Sequence, residues 1–260
     1  MTDSSPIASS EEVAAFAGRW RTARGELANA QGFIDDLCRL LDLPRPEPRR
    51  DDPALDGYCF ERSVTFLGGD GTAAGGRIDC YRRGHFVLEA KQIGAAPRQV
   101  ALPGLASATA TASGGRTWDV ELKKARNQAE RYARALHDAG EAWPPLLIVV
   151  DVGRVIELYQ DFSQSGRTYL PFPDPASYRI APEDLARPEL QARLRAAWLD
   201  PLSLDPTRKA ARVTREIADT LATLARSLEA GRRAGRADEQ RLAAQEVAEF
   251  LMRCLFTMFA

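Results

Sequence analysis

The stretch from residue 58 to residue 92 constrains the fold most, because it has the composition of three consecutive β-strands. Aromatic and β-branched residues fill 58–67, and a glycine-rich turn follows them. Two further strands, 76–82 and 85–92, are separated only by an Arg-Gly pair, which is typical of a hairpin. We therefore predict a meander of three antiparallel strands.

This hairpin brings charged residues together on one face. If the chain turns at Gly84, paired residues have numbers that sum to about 168, so Asp79 lies opposite Glu89. Two carboxylates this close repel each other unless a cation lies between them, and Mg²⁺ prefers oxygen ligands. Lys91 shares their face because side chains alternate along a strand. An exposed salt bridge among the three charges is the alternative interpretation.

The opposite face of the hairpin has the pattern of a core. Its side chains are Ile78, Cys80, Phe86, Leu88 and Ala90. Because these five residues alternate with the charged ones, we expect one apolar face that packs inward and one charged face.

The elements around the hairpin define the fold class. Apolar residues at three-to-four spacing predict a helix over 11–43, and residues 94–117 have the small, polar composition of a long loop. An amphipathic helix over 118–137 and strands over 146–152 and 155–162 follow. The order helix, three strands, helix, two strands predicts an α/β (α+β) fold with a mixed central sheet flanked by helices.

The chain changes character after the last of these strands. Closely spaced prolines are followed by helical patterns, so we divide the chain into a domain over 1–175 and an all-α segment over 176–260. The last twelve residues are strongly apolar and have no polar cap. We expect either a chain that continues as a longer protein or an obligate interface.

Charge and hydropathy narrow the classes of partner. The chain has 35 basic and 36 acidic residues, but 57–134 holds 12 basic and 7 acidic ones. This basic block surrounds the candidate metal site and is compatible with a nucleic-acid partner. No apolar run is long enough for a membrane helix, and the start lacks a signal peptide, so we predict a cytoplasmic protein without a membrane partner.

Two small motifs together resemble the PD-(D/E)xK nuclease superfamily. The first is Asp79 followed by Glu89-Ala90-Lys91. The second is Gln128 with Tyr132, which is similar to the Q-x-x-x-Y signature of the RecB-like branch. Gln128 and Tyr132 share one helix face, although core packing explains Tyr132 equally well. The superfamily core, a helix, a three-strand meander, a helix and further strands, agrees with the predicted order.

Longer stretches resemble the N-terminal part of MmeI-like proteins, which are type IIG (IIL) restriction-modification enzymes. These stretches are ELANAQGFIDDLCRLLDLPRP, YCFERSVTF, IDCYRRGHFVLEAKQ and AAQEVAEFLMRCLFTMFA. The resemblance implies a DNA endonuclease domain that acts against phage or other foreign DNA, followed by the start of a helical spacer. It also implies downstream N6-adenine methyltransferase and target-recognition domains in the same polypeptide. S-adenosylmethionine would bind only there, because these 260 residues lack the methyltransferase motifs.

The resemblance also implies roles for individual residues. Asp79, Glu89 and the Ala90 carbonyl would bind one or two Mg²⁺, and Lys91 would position or polarise the attacking water. Gln128 and Tyr132 would complete the catalytic group. Accessory acids are expected at Glu26 and Glu61, for each of which a purely structural role is an equal alternative.

Double-stranded DNA is the expected substrate, and relatives form oligomers on it. Phosphate contacts are expected from basic residues at the hairpin tip and on the following helix, although solvent-facing charge is the alternative for at least half of the helical ones. They are Arg82, Arg83, Lys123, Lys124, Arg126, Arg131 and Arg134.

Two other functions remain open from the sequence. The chain could be a non-catalytic DNA-docking or regulatory module of an S-adenosylmethionine-dependent adenine-specific DNA methyltransferase. It could also be a structural interaction domain that uses the apolar C-terminal helix.

Overall fold

A computed structural model describes most of the chain. The described residues are 7–23, 26–50, 52, 55–67, 72–93, 110–166 and 168–231, with the single positions 249 and 253. The predicted helix from residue 240 onward lies outside this set except for those two positions. The chain divides into two compact units, 1–204 and 205–260.

The described elements follow the predicted order. The helices are α1 (Ser10–Arg21), α2 (Glu26–Leu40), α3 (Ala110–Asp138), α4 (Pro188–Leu199) and α5 (Pro206–Gly231). The strands are β1 (Tyr58–Leu67), β2 (Ala73–Arg82), β3 (Phe86–Lys91), β4 (Leu146–Asp151), β5 (Val155–Gln160), β6 (Leu170–Pro171) and β7 (Arg179–Ile180).

The strands form one mixed sheet of seven strands in the order β1-β2-β3-β4-β5-β6, with β7 also paired to β5. Only β3 and β4 are parallel, and α3 makes the crossover between them. The β2–β3 register pairs Cys80 with Leu88 and Arg82 with Phe86, which confirms the predicted sum of 168. The mixed α/β class is therefore confirmed.

Apolar side chains cover both faces of the sheet. One core layer joins α1, α2 and α4 to the sheet, with Trp198 packed 4.7 Å from the ring centroid of Phe86. The other layer joins α3 to it through residues such as Leu122 and Val149, both fully buried. Apolar layers therefore cover the centre of the sheet on both sides.

Several boundaries differ from those predicted. The helix predicted over 11–43 is divided into α1 and α2. Helix α3 begins at Ala110, eight residues inside the predicted loop, whose residues 94–109 lie outside the described set. Strand β2 begins at Ala73, because it pairs with β1 as far as Leu67. The first compact unit extends to residue 204 rather than 175, because β7 joins the sheet and α4 buries Trp198 in its core.

Helix α1 is fixed at both ends. Ser9 and Glu12 form a capping box at its N-terminus. At its C-terminus the Trp20 carbonyl approaches the β4–β5 turn so closely that a Cβ on Gly153 would lie 2.2 Å from the carbonyl oxygen. The turn therefore needs glycine.

None of the described helices has the length and apolarity to cross a membrane.

Candidate functional site

The ladder of the sheet breaks at one rung shared by β1 and β2. The register pairs Phe60 with Cys80 and Arg62 with Ile78, and Glu61 and Asp79 lie at the interruption between these two pairs. Glu61 has φ of 55°, a left-handed conformation that is uncommon outside glycine. Backbone outliers of this kind concentrate at functional sites, so the rung is the first candidate for one.

Side chains change faces at this rung, which corrects one prediction. Cys80 packs with Phe86 and Leu88 in the α1–α2–α4 layer, but Ile78 packs with Val87 in the α3 layer. Ile78 therefore does not share the face of Cys80, because the alternation is interrupted at Asp79. The face predicted to carry the charged residues also carries apolar ones, because α3 packs against it and forms a second core layer.

Asp79 replaces backbone pairing where β2 and β3 separate. The ladder between these strands ends at Cys80 and Leu88. Beyond it, the backbone N–H of Ala90 donates to Oδ2 of Asp79 at 2.8 Å. The Asp79 carboxylate thus accepts a backbone hydrogen bond that a carbonyl group of the neighbouring strand would accept in a regular sheet. It lies at the opening between β2 and β3.

Glu89 and Lys91 form an ion pair beside Asp79. Glu89 is only 1% exposed, and Lys91 Nζ lies 2.8 Å from its Oε1. The Lys91 side chain is 28% exposed, so the ammonium group reaches from the surface towards a buried carboxylate. A fully solvated salt bridge is therefore not what the structure contains.

Helix α3 contributes the two residues of the predicted Q-x-x-x-Y pair. Gln128 Nε2 donates to the Tyr132 hydroxyl at 2.9 Å. The Tyr132 ring is stacked on Phe66, with ring centroids 5.8 Å apart. A Cβ on Gly76 would lie 2.8 Å from the Tyr132 ring and 2.6 Å from the Phe66 ring, so glycine at this position allows the stacking.

These residues line one cleft of about 350 Å³, which we call the acidic cleft. Its strand residues are Glu61, Arg77, Asp79, Glu89, Ala90 and Lys91, and α3 adds Gln128 and Tyr132. Helix α2 closes the other side with Ala30, Gln31 and Ile34. The structure brings together every residue predicted for catalysis and metal binding, and also Glu61. The side chain of Glu26, at the start of α2, lies outside the described set.

Two cleft residues escaped the sequence analysis. Gln31 Nε2 donates to Glu61 Oε1 at 3.4 Å, and Arg77 Nη1 lies 3.4 Å from Glu61 Oε2. Arg77 stands two residues before Asp79 in the same strand, and this proximity is its signal in the sequence, since alternation does not hold across the change of faces at Asp79. Gln31 had no such signal, because it comes from a helix that meets the strands only in the tertiary fold.

A buried aspartate anchors the chain on both sides of the connection between β3 and α3. Asp151 is fully buried and is the parallel-strand partner of Lys91. Its carboxylate accepts the Ile93 N–H at 3.0 Å and the indole N–H of Trp118 at 2.7 Å. The end of β3, which carries the cleft lysine, is therefore held against α3.

The donor set of the acidic cleft suits a hard divalent cation. Asp79 and Glu89 supply carboxylate oxygens, and the Ala90 carbonyl is a third candidate ligand. Mg²⁺ is commonly held by one or two carboxylates together with water and substrate phosphate, so this set fits the ion. No group of three or more His, Cys, Asp or Glu side chains suited to a metal occurs in the described part of the chain.

The predicted DNA-contact residues fall into two groups. Arg82, Arg83 and Arg126 make internal contacts: Arg82 lies 5.0 Å over the Tyr58 ring, Arg83 pairs with Glu141, and Arg126 donates to the Tyr169 carbonyl. The residues Lys123, Lys124, Arg131 and Arg134 are exposed on α3. Lys124 and Arg134 pair with glutamates on the same helix, while Arg131 lies over the Phe66 ring.

The fold and the cleft define a class: a mixed α/β domain with two carboxylates, a lysine and a helix-borne Gln–Tyr pair at a break in its sheet. The family model described as "MmeI, N-terminal domain" matches residues 8–231. The chain therefore belongs to the family of MmeI N-terminal domains. Comparisons with curated proteins and with solved structures find no match.

Proposed function

We propose that this chain is the Mg²⁺-dependent DNA endonuclease domain of a restriction-modification protein, with a PD-(D/E)xK core. The observation that carries the proposal is the acidic cleft, in which Asp79, Glu89, Lys91, Gln128 and Tyr132 meet from two strands and a helix. Membership of the MmeI N-terminal family supports the same conclusion. The order of elements, with a three-strand meander between two helical layers, agrees with the order expected for the superfamily and supports the proposal.

The residues divide the work of phosphodiester hydrolysis in this proposal. Asp79, Glu89 and the Ala90 carbonyl would hold Mg²⁺, which when bound would supply Lewis acidity and would lower the pKa of a water molecule. Lys91 orients the attacking water and offsets charge that develops on the phosphate. Gln128 and Tyr132 fix the α3 side of the cleft and position the DNA strand.

Other parts of the proposal concern the longer protein. Its substrate is double-stranded DNA, its role is defence against foreign DNA, and it works with methyltransferase and target-recognition domains of the same polypeptide. S-adenosylmethionine belongs to those domains.

A second candidate is a non-catalytic DNA-docking module of a DNA adenine methyltransferase. One observation favours it: the Lys91 ammonium lies 2.8 Å from the buried Glu89 carboxylate and balances its charge within the protein. Such a module would retain the fold and the basic surface without a functional metal site.

Cleavage assays separate the two candidates. Supercoiled plasmid is incubated with the chain and Mg²⁺, or with a chelator, and nicked and linear products are quantified. Asp79→Asn and Lys91→Met should each lower the rate by about a hundredfold or more, since each removes a charge that acts on the reacting groups. Lys209→Met, an exposed lysine of α5, is the control and should cleave like wild type.

The DNA-docking function makes the opposite prediction. Wild type and both cleft variants would bind DNA equally, and none would cleave in Mg²⁺. Cleavage that persists in both cleft variants would also contradict the nuclease proposal, because it would arise outside the acidic cleft.

A further inference from the structure

A second cavity of about 350 Å³ adjoins the acidic cleft. We call it the basic cavity; it lies between α3 and the β1–β2 pair, and it is lined by Gly75, Gly76, Lys124, Asn127 and Arg131 together with Phe66. Gln128 and Tyr132 line both spaces. A ligand chain that leaves the acidic cleft past these two residues therefore enters the basic cavity directly.

The two spaces differ in charge. The acidic cleft is lined by three acidic residues, Glu61, Asp79 and Glu89, and by two basic residues, Arg77 and Lys91, so negative charge is in excess there. Among the described residues that line the basic cavity, none is acidic, and two are cationic. An anionic group fits the basic cavity, whereas the acidic cleft accepts such a group only with a cation.

We propose that the basic cavity binds a phosphate of the substrate strand next to the phosphate that is cleaved. This inference rests on the proposed function, because it assigns the neighbouring position on the same DNA strand. Lys124 and Arg131 supply the positive charge, and Asn127 supplies an amide donor between them. The backbone of Gly75 forms part of the opposite wall, and a Cβ at this position would meet nothing within 4 Å, so there is room for a sugar-phosphate chain beside it.

The positions along α3 support this assignment. Residues 124, 127, 128 and 131 are three or four apart, so they form a row on one helix face. Arg131 is held over the Phe66 ring at 5.0 Å, and no ion pair of the described residues includes it. Its guanidinium group can therefore bind a phosphate without first breaking an internal salt bridge. Lys124 does pair with Glu121, at 2.7 Å, but this pair is exposed and weak.

A pair of opposite substitutions at one position tests the proposal. Asn127 is exposed on α3. Asn127→Glu and Asn127→Lys change the charge of the basic cavity in opposite directions, and both new residues are good helix formers. Binding of the 260-residue chain to a short labelled duplex is measured by fluorescence anisotropy in a chelator, so that no cleavage occurs. The salt concentration is varied to count ionic contacts.

The expected results follow from counterion release. Arg131→Ala should reduce the slope of log K against log salt by about one, and should weaken binding about tenfold at 50 mM salt. Asn127→Glu should bind about tenfold more weakly than Asn127→Lys. Arg187→Ala, which removes one charge from a residue that lines neither space, is the control and should change the slope by less than half as much.

Several outcomes overturn the proposal. If the two Asn127 variants bind alike, or if Arg131→Ala and Arg187→Ala have equal effects, the basic cavity does not bind phosphate. If cleavage still depends on Asp79 and Lys91 in that case, the nuclease function stands without this subsite. If the basic cavity binds DNA but cleavage does not depend on Asp79, the proposed function fails, and the assignment of the cavity to the phosphate next to the cleaved one fails with it.

Discussion

The carboxylate of Glu141 holds the end of α3 against β1 and β2, and its removal should destabilise the protein strongly. Arg62 Nη2 donates to Glu141 Oε1 at 2.5 Å, and the Tyr81 hydroxyl donates to Oε2. The Arg62 side chain is only 6% exposed. Arg83, which is 41% exposed, lies 3.3 Å from the same carboxylate.

The difference in burial between Arg62 and Arg83 determines how much each substitution should lower the free energy of unfolding. Glu141→Ala leaves the Arg62 cation buried without its counter-charge, and such losses cost about 3–5 kcal/mol of the free energy of unfolding. Arg83→Ala removes an exposed partner of the same carboxylate, for which about 1 kcal/mol or less is expected. Glu141→Gln keeps the size of the side chain and an acceptor for Tyr81, so its cost should lie between the two.

Urea unfolding followed by circular dichroism at neutral pH measures all three variants. The midpoint should fall in the order Arg83→Ala, Glu141→Gln, Glu141→Ala, with an unchanged slope m. Equal midpoints for Glu141→Ala and Arg83→Ala would refute the reasoning, because the buried pair would then contribute no more than the exposed one.

The same carboxylate predicts a pH dependence. Burial raises the pKa of Glu141, but hydrogen bonds from Tyr81 and Arg62 outweigh it, and the pKa lies below its ordinary value of 4.5. A carboxyl group whose pKa is lower in the folded state stabilises the protein above the unfolded pKa, and this contribution is lost as the pH falls through the folded pKa. The stability difference between wild type and Glu141→Gln should therefore shrink below about pH 4.5 and stay constant at neutral pH.

Substitutions at three glycines give further predictions. Gly153→Ala should cost about 2–5 kcal/mol, because φ is +75° and the new Cβ would lie 2.2 Å from the Trp20 carbonyl oxygen. Gly140→Ala is the control, because φ is +86° there but a Cβ would meet open space, so only the backbone conformation adds to the cost. If Gly153→Ala and Gly140→Ala have the same urea midpoint, the packing argument is wrong. Gly76→Ala should displace the Tyr132 ring, lower the free energy of unfolding by about 1–3 kcal/mol and slow plasmid cleavage, whereas unchanged cleavage would mean that the ring position does not matter.

The sequence predicted the order of elements because each strand and helix has its own hydrophobic period. The register of the hairpin followed from a short turn at Gly84, and it placed Asp79 near Glu89. The start of α3 at Ala110 could not be predicted, because its first residues are small and polar and do not show an apolar stripe. Alternation failed at Ile78 for a different reason, since it assumes an unbroken ladder.

The sequence did not predict partners that are far apart along the chain, because no local pattern relates them. Glu141 has no local pattern that pairs it with Arg62, 79 residues earlier. Asp151 reads as the polar end of an apolar strand, yet it is fully buried and holds Ile93 and Trp118. Such residues are identified only when the tertiary fold shows which donors surround them.

The interruption of the ladder explains how a buried sheet can hold a site at all. In a regular β2–β3 pair, backbone groups would satisfy one another and adjacent side chains would pack without a gap. Here the ladder stops at Cys80 and Leu88, and the Asp79 carboxylate accepts the Ala90 N–H in place of a carbonyl. The strands then diverge, and α2 and α3 border the opening. The alternation of side chains along a strand thus predicts which residues lie near one another. The point at which β2 and β3 stop pairing determines where a ligand can reach those residues.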